Sequence, residues 1–280
     1  MGFVINNNLA ANNSYRNLNS TQTDLSKSLE KLSTGLRINR AGDDAAGLSI
    51  SEGLKAQITG SAQAARNAQD GISVIQTTEG ALTEVHSILQ RVRDLAVQGS
   101  NDTNNTAAHA AIQKEVTALG EELGRMKDST NFNKINLLDG TATASGKMDI
   151  QVGAGGTAND VISVDLKGAA DITAVVTAVQ ALDLTTTAGS FAAITTLDSQ
   201  ISAVSTGRAA LGATQNRLEH SIKTLNIAGE NLQAAQSRIA DVDMASEMVK
   251  FTKANILSQA GTAMLAQANQ SSQGVLSLLR

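Results

Sequence analysis

The residues that could catalyse a reaction or bind a metal ion are few and widely spaced in this 280-residue sequence. Its three histidines are His86, His109 and His220, which lack the local spacing of zinc sites such as H-E-x-x-H. The sequence has no cysteine, which excludes thiolate zinc ligands, disulfide bonds and a cysteine nucleophile. We therefore expect solvated histidines on helix surfaces, no metal site, no cofactor and no enzymatic activity.

The stretch "AGDDAAG" at residues 41–47 is the segment most similar to a ligand-binding loop. It lacks the spacing of G-x-G-x-x-G and the Lys-Ser/Thr of a P-loop, and it follows a helical pattern where both motifs require a strand. Asp43 and Asp44 also lack the alternating acids and distant Glu of a calcium loop. The segment is therefore better explained by backbone structure than by ligand binding.

The charges around this stretch are typical of two consecutive helix ends. Arg37 and Arg40 are predicted at the C-terminal end of one helix, where the macrodipole favours cations. Asp43 and Asp44 are predicted to cap the N-terminus of the next helix, with Gly42 supplying backbone freedom between them. The sequence therefore predicts an inter-domain joint formed by these five residues.

Apolar residues at helical spacing predict long helices before and after this joint. The first helix carries a coiled-coil pattern: Tyr15, Leu18, Gln22, Leu25, Leu29, Leu32 and Leu36. A second run extends to about Gln98, and a third begins behind a predicted cap at Thr106. The helical period returns from about Ile194, and Asp241 and Asp243 are predicted caps before the last helix. That last helix carries Met248, Phe251, Met264, Leu265, Leu276 and Leu279.

The middle of the chain differs from its ends. Two alternating apolar runs separated by a Gly/Asn/Asp loop predict a β-hairpin at about residues 147–166, the one convincing sheet. Residues 168–194, rich in Ala, Thr and Val, do not favour one fold. We predict a mainly α protein in which N- and C-terminal segments pair as an elongated antiparallel bundle or coiled coil. The expected domains are 1–43 with 241–280, 44–167 with 195–240, and a short variable segment at 168–194.

Composition limits the classes of partner. Aromatic residues make up 2% of the chain, which suits a slender helical bundle. The net charge of -4 and the lack of a basic stripe argue against nucleic acid. No window approaches the ~18 apolar residues of a membrane span, so we expect a chain soluble at synthesis. The N-terminus has no signal-peptide pattern, which makes Sec-type export unexpected.

The predicted terminal helices have polar faces that are poor in charge, as in "NNNLAANNSYRNLNSTQT" and "ILSQAGTAMLAQANQSSQG". Solvated helix faces usually carry more Lys and Glu, because charge opposes association. We therefore expect self-association through the terminal helices, which would be poorly ordered until neighbouring subunits cover them. The apolar residues predicted for this polymerisation seam are Leu18, Leu25, Leu29, Leu32, Leu36, Met248, Phe251, Met264, Leu265, Leu276 and Leu279. A simple intrachain coiled coil is the alternative explanation of the periodicity.

Several stretches closely resemble bacterial flagellin, among them "INNNLAANN", "LEKLSTGLRINRAGDDAAGLSIS", "QRVRDLAVQ" and "ILSQAGTAMLAQANQSSQGVLSLLR". The resemblance covers roughly residues 1–140 and 195–280. It implies a structural subunit of the extracellular flagellar filament, used in motility, whose termini form the filament core. The short middle region implies a minimal flagellin without a large outer domain. The resemblance further implies type III export without a cleaved signal peptide, an export chaperone on residues 240–280, and contacts with the filament cap and hook-junction proteins.

The resemblance also implies a surface that the innate flagellin receptor, Toll-like receptor five, recognises on the monomer. The matching motif runs from Gln90 to Gln98, with Arg91 and Leu95 as contacts and Glu115 as the acidic partner on the next helix. A guanidinium beside an exposed Leu would form a binding hot spot. The residues taken alone favour an ordinary solvated helix face.

Three other functions stay open on the sequence. A hook-filament junction protein shares related terminal segments, although full matches at both ends favour the major filament protein. An enzyme inserted in the middle region is disfavoured because residues 140–197 are short and contain no histidine. A monomeric coiled-coil adaptor would not self-associate at high concentration.

Overall fold

A computed structural model of the chain describes residues 8–142 and 145–278, and it is mainly helical. The helices are α1 (Leu9–Thr34), α2 (Ala45–Gly99), α3 (Thr106–Ser129), α4 (Leu166–Ala170), α5 (Thr173–Gln180), α6 (Thr187–Ala240) and α7 (Met244–Leu278). Four short strands lie between α3 and α4: β1 (Asn131–Phe132), β2 (Ile135–Asn136), β3 (Lys147–Gln151) and β4 (Val161–Asp165). The predicted fold class is confirmed, because long helices pack in bundles and the sheets are small antiparallel hairpins.

The chain divides into two compact units. The first combines Met1–Ala56 with Asn231–Arg280, and the second is Gln57–Glu230. The sequence placed the divisions after residues 43 and 240, near the ends of predicted helices. The boundaries of the two compact units fall within α2 and α6.

The core of the second unit is aliphatic, in keeping with the 2% aromatic content of the chain. Leucine, isoleucine and valine side chains recur on one side of α2 at steps of three and four residues, which brings a continuous stripe against α3, α6 and the β3–β4 hairpin. The largest fully buried side chains in this unit are Ile75, Leu82, Leu89, Leu123, Leu137, Leu138, Leu166, Ile172, Leu184, Leu197, Leu211 and Leu218.

The predicted β-hairpin at 147–166 is confirmed as β3–β4. Ile150 pairs with Ile162 in an antiparallel register, and both side chains are buried. Gly71 of α2 makes room for this hairpin, because a Cβ there would lie 2.2 Å from Cδ1 of Ile150. The absence of a side chain at Gly71 therefore lets the hairpin pack closely against α2.

A second hairpin, β1–β2, was not predicted. Each strand has two residues, which is too short to show alternation in the sequence. Asn133 and Lys134 form the turn with positive φ angles of 49° and 66°. Two consecutive left-handed residues are typical of the tight turns that join two-residue hairpins.

Residues 168–194 are part of the second unit's core. They form the end of α4, all of α5 and the start of α6, and Ile172, Val175 and Leu184 are buried. Gln113 of α3 fixes the α5–α6 loop, since its Nε2 donates to the carbonyl of Leu182 at 3.0 Å and its Oε1 accepts from the backbone N–H of Leu184 at 2.7 Å. Helix α6 begins at Thr187, seven residues before the predicted start at Ile194.

Two expectations about α3 are wrong. Its N-cap is Asn105, whose Oδ1 accepts from the backbone N–H of Ala108 at 2.8 Å, whereas Thr106 is already the first helical residue. His109 was expected on a solvated face but is buried, with Nδ1 2.8 Å from the carbonyl oxygen of Leu184. The ring therefore contributes a hydrogen bond to the same loop that Gln113 holds.

Candidate functional site

Helices α1 and α7 pack against each other as an antiparallel pair within the first unit. Nδ2 of Asn8, the N-cap of α1, donates to the carbonyl of Ala268 at 3.0 Å. At the other end, the hydroxyl of Ser28 donates to Oε1 of Glu247 at 2.7 Å. The contact between the helices therefore extends over most of α1.

The side chains along this contact follow a heptad spacing on both helices. On each helix the least exposed positions recur at alternating steps of three and four residues, which is the pattern of a coiled-coil seam. On α1 these positions are Ala11, Ser14, Leu18, Thr21, Leu25, Ser28 and Leu32. On α7 they are Glu247, Phe251, Ala254, Ser258, Gly261, Leu265 and Ala268. We call these residues the seam.

The predicted coiled-coil pattern was half right. Leu18, Leu25 and Leu32 lie in the seam, and Phe251 and Leu265 lie opposite on α7. The other predicted positions are exposed: Tyr15, Gln22, Leu29, Leu36, Met248 and Met264. The sequence pattern failed there because small residues occupy most alternate seam positions, with hydroxyl residues on α1 and mainly alanine and glycine on α7, while the larger apolar side chains next to them are exposed. Leu276 falls in α7, and Leu279 lies outside the described residues.

Small seam residues let the two helices approach closely. A Cβ added to Gly261 would lie 3.3 Å from Cδ1 of Leu18 and 3.8 Å from its Cβ. Leucine from one helix therefore packs against the backbone of the other. This arrangement uses the small residues of the seam and leaves many large apolar side chains on other faces.

Helix α7 exposes large apolar side chains outside the seam. Met248, Val249, Ile256 and Leu257 border one shallow cavity on its surface. Six such side chains of α7 are 47% to 69% exposed: Met244, Met248, Val249, Ile256, Leu257 and Met264. Helix α1 adds Leu9, Tyr15 and Leu29. A helix that is apolar on several faces is usually buried on several faces, and α1 covers one face of α7.

Glu247 is the one charged side chain in the seam and is 4% exposed. Burial acts to raise its pKa, but hydrogen bonds from Ser28 and Lys250 and the positive charges of Lys250 and Lys31 lower it below its usual range. Nζ of Lys250 lies 3.0 Å from Oε2 of Glu247. The carboxylate is therefore ionised and paired at neutral pH.

The predicted joint lies within the first unit, as the connection between α1 and α2. Helix α1 ends at Gly35, whose φ of 73° is left-handed, so Gly35 and not Gly42 supplies the backbone freedom. Arg37 contacts the end of a different helix than predicted: its Nη2 and Nε donate to the carbonyl of Ile239 at the C-terminus of α6, at 2.8 and 3.1 Å. Arg40 pairs with Glu30 at 3.0 Å.

The two aspartates of this connection have different roles. Asp44 caps α2 as predicted, since its Oδ1 accepts from the backbone N–H of Gly47 at 2.8 Å. Asp43 instead accepts from the backbone N–H groups of Arg40 and Asn39, and these hydrogen bonds lower its pKa. Asp43 therefore stabilises the α1–α2 connection and does not cap α2.

The two aspartates predicted to cap α7 also have different roles. Asp243 is the cap, with Oδ1 accepting from the backbone N–H of Ala245 at 3.0 Å. Asp241 accepts from the hydroxyl of Ser237 at 2.6 Å, and its backbone pairs with Leu36 in an isolated bridge. The prediction was wrong for Asp241 because the residue belongs to the contact with the α1–α2 connection.

The predicted receptor surface is partly assembled in the second unit. Arg91 and Glu115 meet as predicted, with Nε and Nη2 of Arg91 2.9 and 2.6 Å from Oε1 of Glu115, and the pair is exposed. Gln90 and Gln98 are also exposed. Leu95, expected to be exposed beside Arg91, is 2% exposed, because it continues the buried stripe of α2.

The described residues contain no group of three or more His, Asp or Glu side chains that could hold a metal ion. None of the described helices combines the length and the apolar character needed to cross a membrane.

Comparisons with known proteins identify the family. Residues 5–143 match the family described as "Bacterial flagellin N-terminal helical region". Residues 194–279 match the family described as "Bacterial flagellin C-terminal helical region". A flagellin of Halalkalibacterium halodurans is 56% identical over 277 residues, which are 99% of this chain and 100% of the relative. This chain belongs to the bacterial flagellin family. Flagellins are structural proteins of the extracellular flagellar filament and not enzymes.

Two further relatives support the assignment. A flagellin of Bacillus subtilis is 49% identical over 302 residues, with 99% of both chains covered. The crystal structure of Bacillus cereus flagellin is 32% identical with a TM-score of 0.50, and the match covers 57% of this chain and 88% of that one. The near-complete match to short relatives agrees with a minimal flagellin, in which the middle of the chain contributes to the helical unit.

Sequence reasoning missed Ser28 and Glu247. Glu247 lies four residues before Phe251 and seven before Ala254, so heptad spacing counted from Phe251 would have placed it in the seam of this flagellin. A search restricted to apolar residues excluded it.

Proposed function

We propose that this flagellin polymerises through the faces of α1 and α7 that lie outside the seam. The observation that carries the proposal is the set of half-exposed apolar side chains on α7, including Met248, Ile256 and Met264. Neighbouring copies of the chain would cover these side chains in the filament. Nine of the eleven predicted polymerisation residues then fall into two groups. Leu18, Leu25, Leu32, Phe251 and Leu265 pair the helices, whereas Leu29, Leu36, Met248 and Met264 contact other copies.

The energetics favour repeated association. Burial of one large aliphatic or methionine side chain contributes roughly 1.5–3 kcal/mol. Several such side chains on each copy can offset the loss of translational freedom, which costs about 4–15 kcal/mol per association. Contacts between different surfaces of successive copies generate an open helical filament.

The test is a charged substitution on the exposed face of α7. Ile256→Glu is expected to abolish filament growth, because each contact would then bury an unpaired charge. The matched control, Thr83→Glu, adds the same charge on an exposed position of α2. Filament length by electron microscopy and sedimentation of the monomer are the measurements. Normal filaments from the Ile256→Glu chain would contradict the proposal.

The alternative role is a hook-filament junction protein. A major filament subunit is expected to extend filaments without limit when seeded, whereas a junction protein adds a few copies and stops. Seeded growth of the purified chain, followed by electron microscopy, separates the two roles. The full-length match to flagellins supports the major subunit.

We further propose that the apolar face of α7 is covered before export by the flagellar export chaperone, and later by the cap and hook-junction proteins during assembly. The chain would leave the cell through the flagellar type III apparatus without a cleaved signal peptide. Support comes from the same exposed side chains, since an uncovered face of this kind would aggregate at the site of synthesis. Ile256→Glu is expected to weaken chaperone binding, measured by calorimetry with the full chain.

Recognition by Toll-like receptor five is proposed for the exposed part of the α2–α3 surface. Gln90, Arg91, Gln98 and Glu115 remain candidates because they are solvent-accessible, whereas Leu95 is excluded by burial. Arg91→Ala is expected to reduce receptor activation by monomers in a reporter-cell assay. Arg125→Ala removes a similarly exposed ion pair on α3 and is the control. Equal activation by both variants would contradict this proposal.

A further inference from the structure

The seam of α1 repeats almost identically every seven residues. Leu18, Leu25 and Leu32 occupy one set of positions, and Ser14, Thr21 and Ser28 occupy the other. Sliding α1 by seven residues along α7, about 10.5 Å at the helical rise, would replace the seam residues from Thr21 to Leu32 by similar ones, and Ala11 would take the place of Leu18. Packing between Thr21 and Leu32 therefore does not distinguish the observed register from one displaced by a heptad.

Glu247 is the exception on the other helix. The next residues at equivalent positions of α7 are Ala254, Gly261 and Ala268, so a carboxylate enters the seam at one point. Burying a carboxylate without partners costs folding free energy, so the stable register is one that supplies partners for Glu247. In the observed register these partners are Ser28 of α1, at 2.7 Å, and Lys250, at 3.0 Å, which lies on α7 itself and accompanies Glu247 in every register.

Charges on the side of α1 distinguish the registers. The charged residues that line the groove around Glu247 are Asp24, Lys27, Lys31, Lys250 and Lys253, and Asp24 lies one heptad before Lys31. If α1 slid so that Thr21 faced Glu247, the hydroxyl of Thr21 would take the place of the Ser28 hydroxyl. Asp24 would then take the place of Lys31. A slide in the opposite direction would bring Gly35, beyond the end of α1, opposite Glu247.

We propose that Glu247 sets the register of α1 against α7, through Ser28 within the seam and through the order of Asp24 and Lys31 beside it. Glu247 is thus a positioning residue of the helix pair. In the displaced register Asp24 would take the place of Lys31 beside Glu247 and repel it, whereas the observed register keeps the positive charge of Lys31 there.

The connection near Arg37 also joins the two helices, through the backbone pairing of Leu36 with Asp241. It could fix the register without Glu247, and the experiment below separates the two devices. The inference does not rest on the polymerisation proposal. Register is measured within one chain, so either can fail while the other holds.

The chain has no cysteine, which allows the register to be measured by engineered disulfides. Leu18→Cys with Gly261→Cys reports the observed register, because the two Cβ atoms would lie 3.8 Å apart, the typical separation in a disulfide. Ala11→Cys or Leu25→Cys, each with Gly261→Cys, reports a displacement by one heptad in either direction. Mild oxidation of the monomeric full chain followed by electrophoresis gives the fraction of each cross-link.

The decisive variant exchanges the two flanking charges, Asp24→Lys with Lys31→Asp, and keeps Glu247, net charge and composition. The unexchanged chain is expected to form the Leu18/Gly261 pair severalfold more than either displaced pair. The exchange is expected to move cross-linking to the Ala11/Gly261 pair, because a lysine then neighbours Glu247 in that register. Glu247→Gln in the exchanged chain is expected to reduce this preference.

Each other outcome overturns the inference. Cross-linking that stays at the Leu18/Gly261 pair after the exchange would mean that the connection alone sets the register. Loss of all three cross-links, with a fall in helicity by circular dichroism, would mean that the charges stabilise pairing without selecting a register. Equal cross-linking of the three pairs in the unexchanged chain would mean that the monomer has no fixed register.

Discussion

The guanidinium of Arg37 contacts the carbonyl of Ile239, and the backbone N–H of Arg37 donates to the carbonyl of Ala240 at 2.7 Å. These carbonyls belong to the last turn of α6, where the macrodipole is negative and carbonyls lack helical partners. Arg37 therefore caps α6 from the α1–α2 connection. Segments about 200 residues apart in sequence meet at one arginine.

Replacement of Arg37 is expected to loosen this contact. Arg37→Ala removes two hydrogen bonds to a carbonyl but leaves a half-exposed site that water can enter, so we expect a loss of about 1 kcal/mol. Hydrogen exchange of the backbone amides at residues 237–242 is the measurement. Arg37→Lys is expected to show an intermediate effect, since lysine keeps the positive charge but lacks the planar guanidinium that donates two hydrogen bonds to one carbonyl. Unchanged exchange in Arg37→Ala would contradict the capping role.

Two glycines of α6 provide a matched pair. A Cβ at Gly207 would lie 2.0 Å from the carbonyl oxygen of Ala169, a backbone atom, whereas a Cβ at Gly212 would meet nothing within 4 Å. Gly207→Ala is expected to destabilise the second unit by about 1–3 kcal/mol through overpacking. Gly212→Ala is expected to stabilise it by about 0.5–1 kcal/mol. Urea unfolding measures both, and equal effects would disprove the close approach.

Leu95 and Arg91 are expected to respond differently to alanine. Leu95→Ala creates a cavity in the core and is expected to cost about 2–5 kcal/mol. Arg91→Ala breaks an exposed ion pair with Glu115, which contributes about 0–1 kcal/mol. Thermal unfolding of the two variants checks this. A small loss for Leu95→Ala would argue against its burial, and any effect of that variant on receptor activation needs to be corrected for unfolding.

Acid is expected to weaken the α1–α7 pair through Glu247. Its folded pKa lies below the ordinary value of 4.5, so the unfolded chain binds the proton more readily. The stabilisation is complete above about pH 4.5 and is lost as pH falls toward the lowered pKa. Hydrogen exchange of α1 amides between pH 3 and 6 measures the effect. Glu247→Gln is expected to remove part of this pH dependence, and an identical profile in both chains would refute the assignment.

The sequence predicted the parts of the fold that rest on periodic apolar residues. Long helices, the β3–β4 hairpin and the aliphatic core follow from spacing alone, because burial on one face requires the period of the element. The β1–β2 hairpin depends on two residues with positive φ in a turn, for which the sequence offers no comparable pattern.

The polar contacts were harder to predict. Asp44 was assigned correctly since an N-cap is local. Asp43 and Asp241 also accept hydrogen bonds from groups three or four residues away, but the backbone conformation, which the sequence does not show, decides which groups these are. Arg37 bonds to the carbonyl of Ile239, which the fold alone brings near. Leu95 was misplaced for the same reason: its exposure depends on which side of α2 the other helices cover.

The exposed methionines of α7 have a chemical consequence. Met244, Met248 and Met264 are 47% to 62% exposed to solvent in the free chain. Peroxide would convert them to sulfoxides, which are polar and chiral, and so would oppose the burial that assembly requires. A subunit oxidised before incorporation would add poorly to a growing filament. A subunit already enclosed by its neighbours would be protected from methionine oxidation.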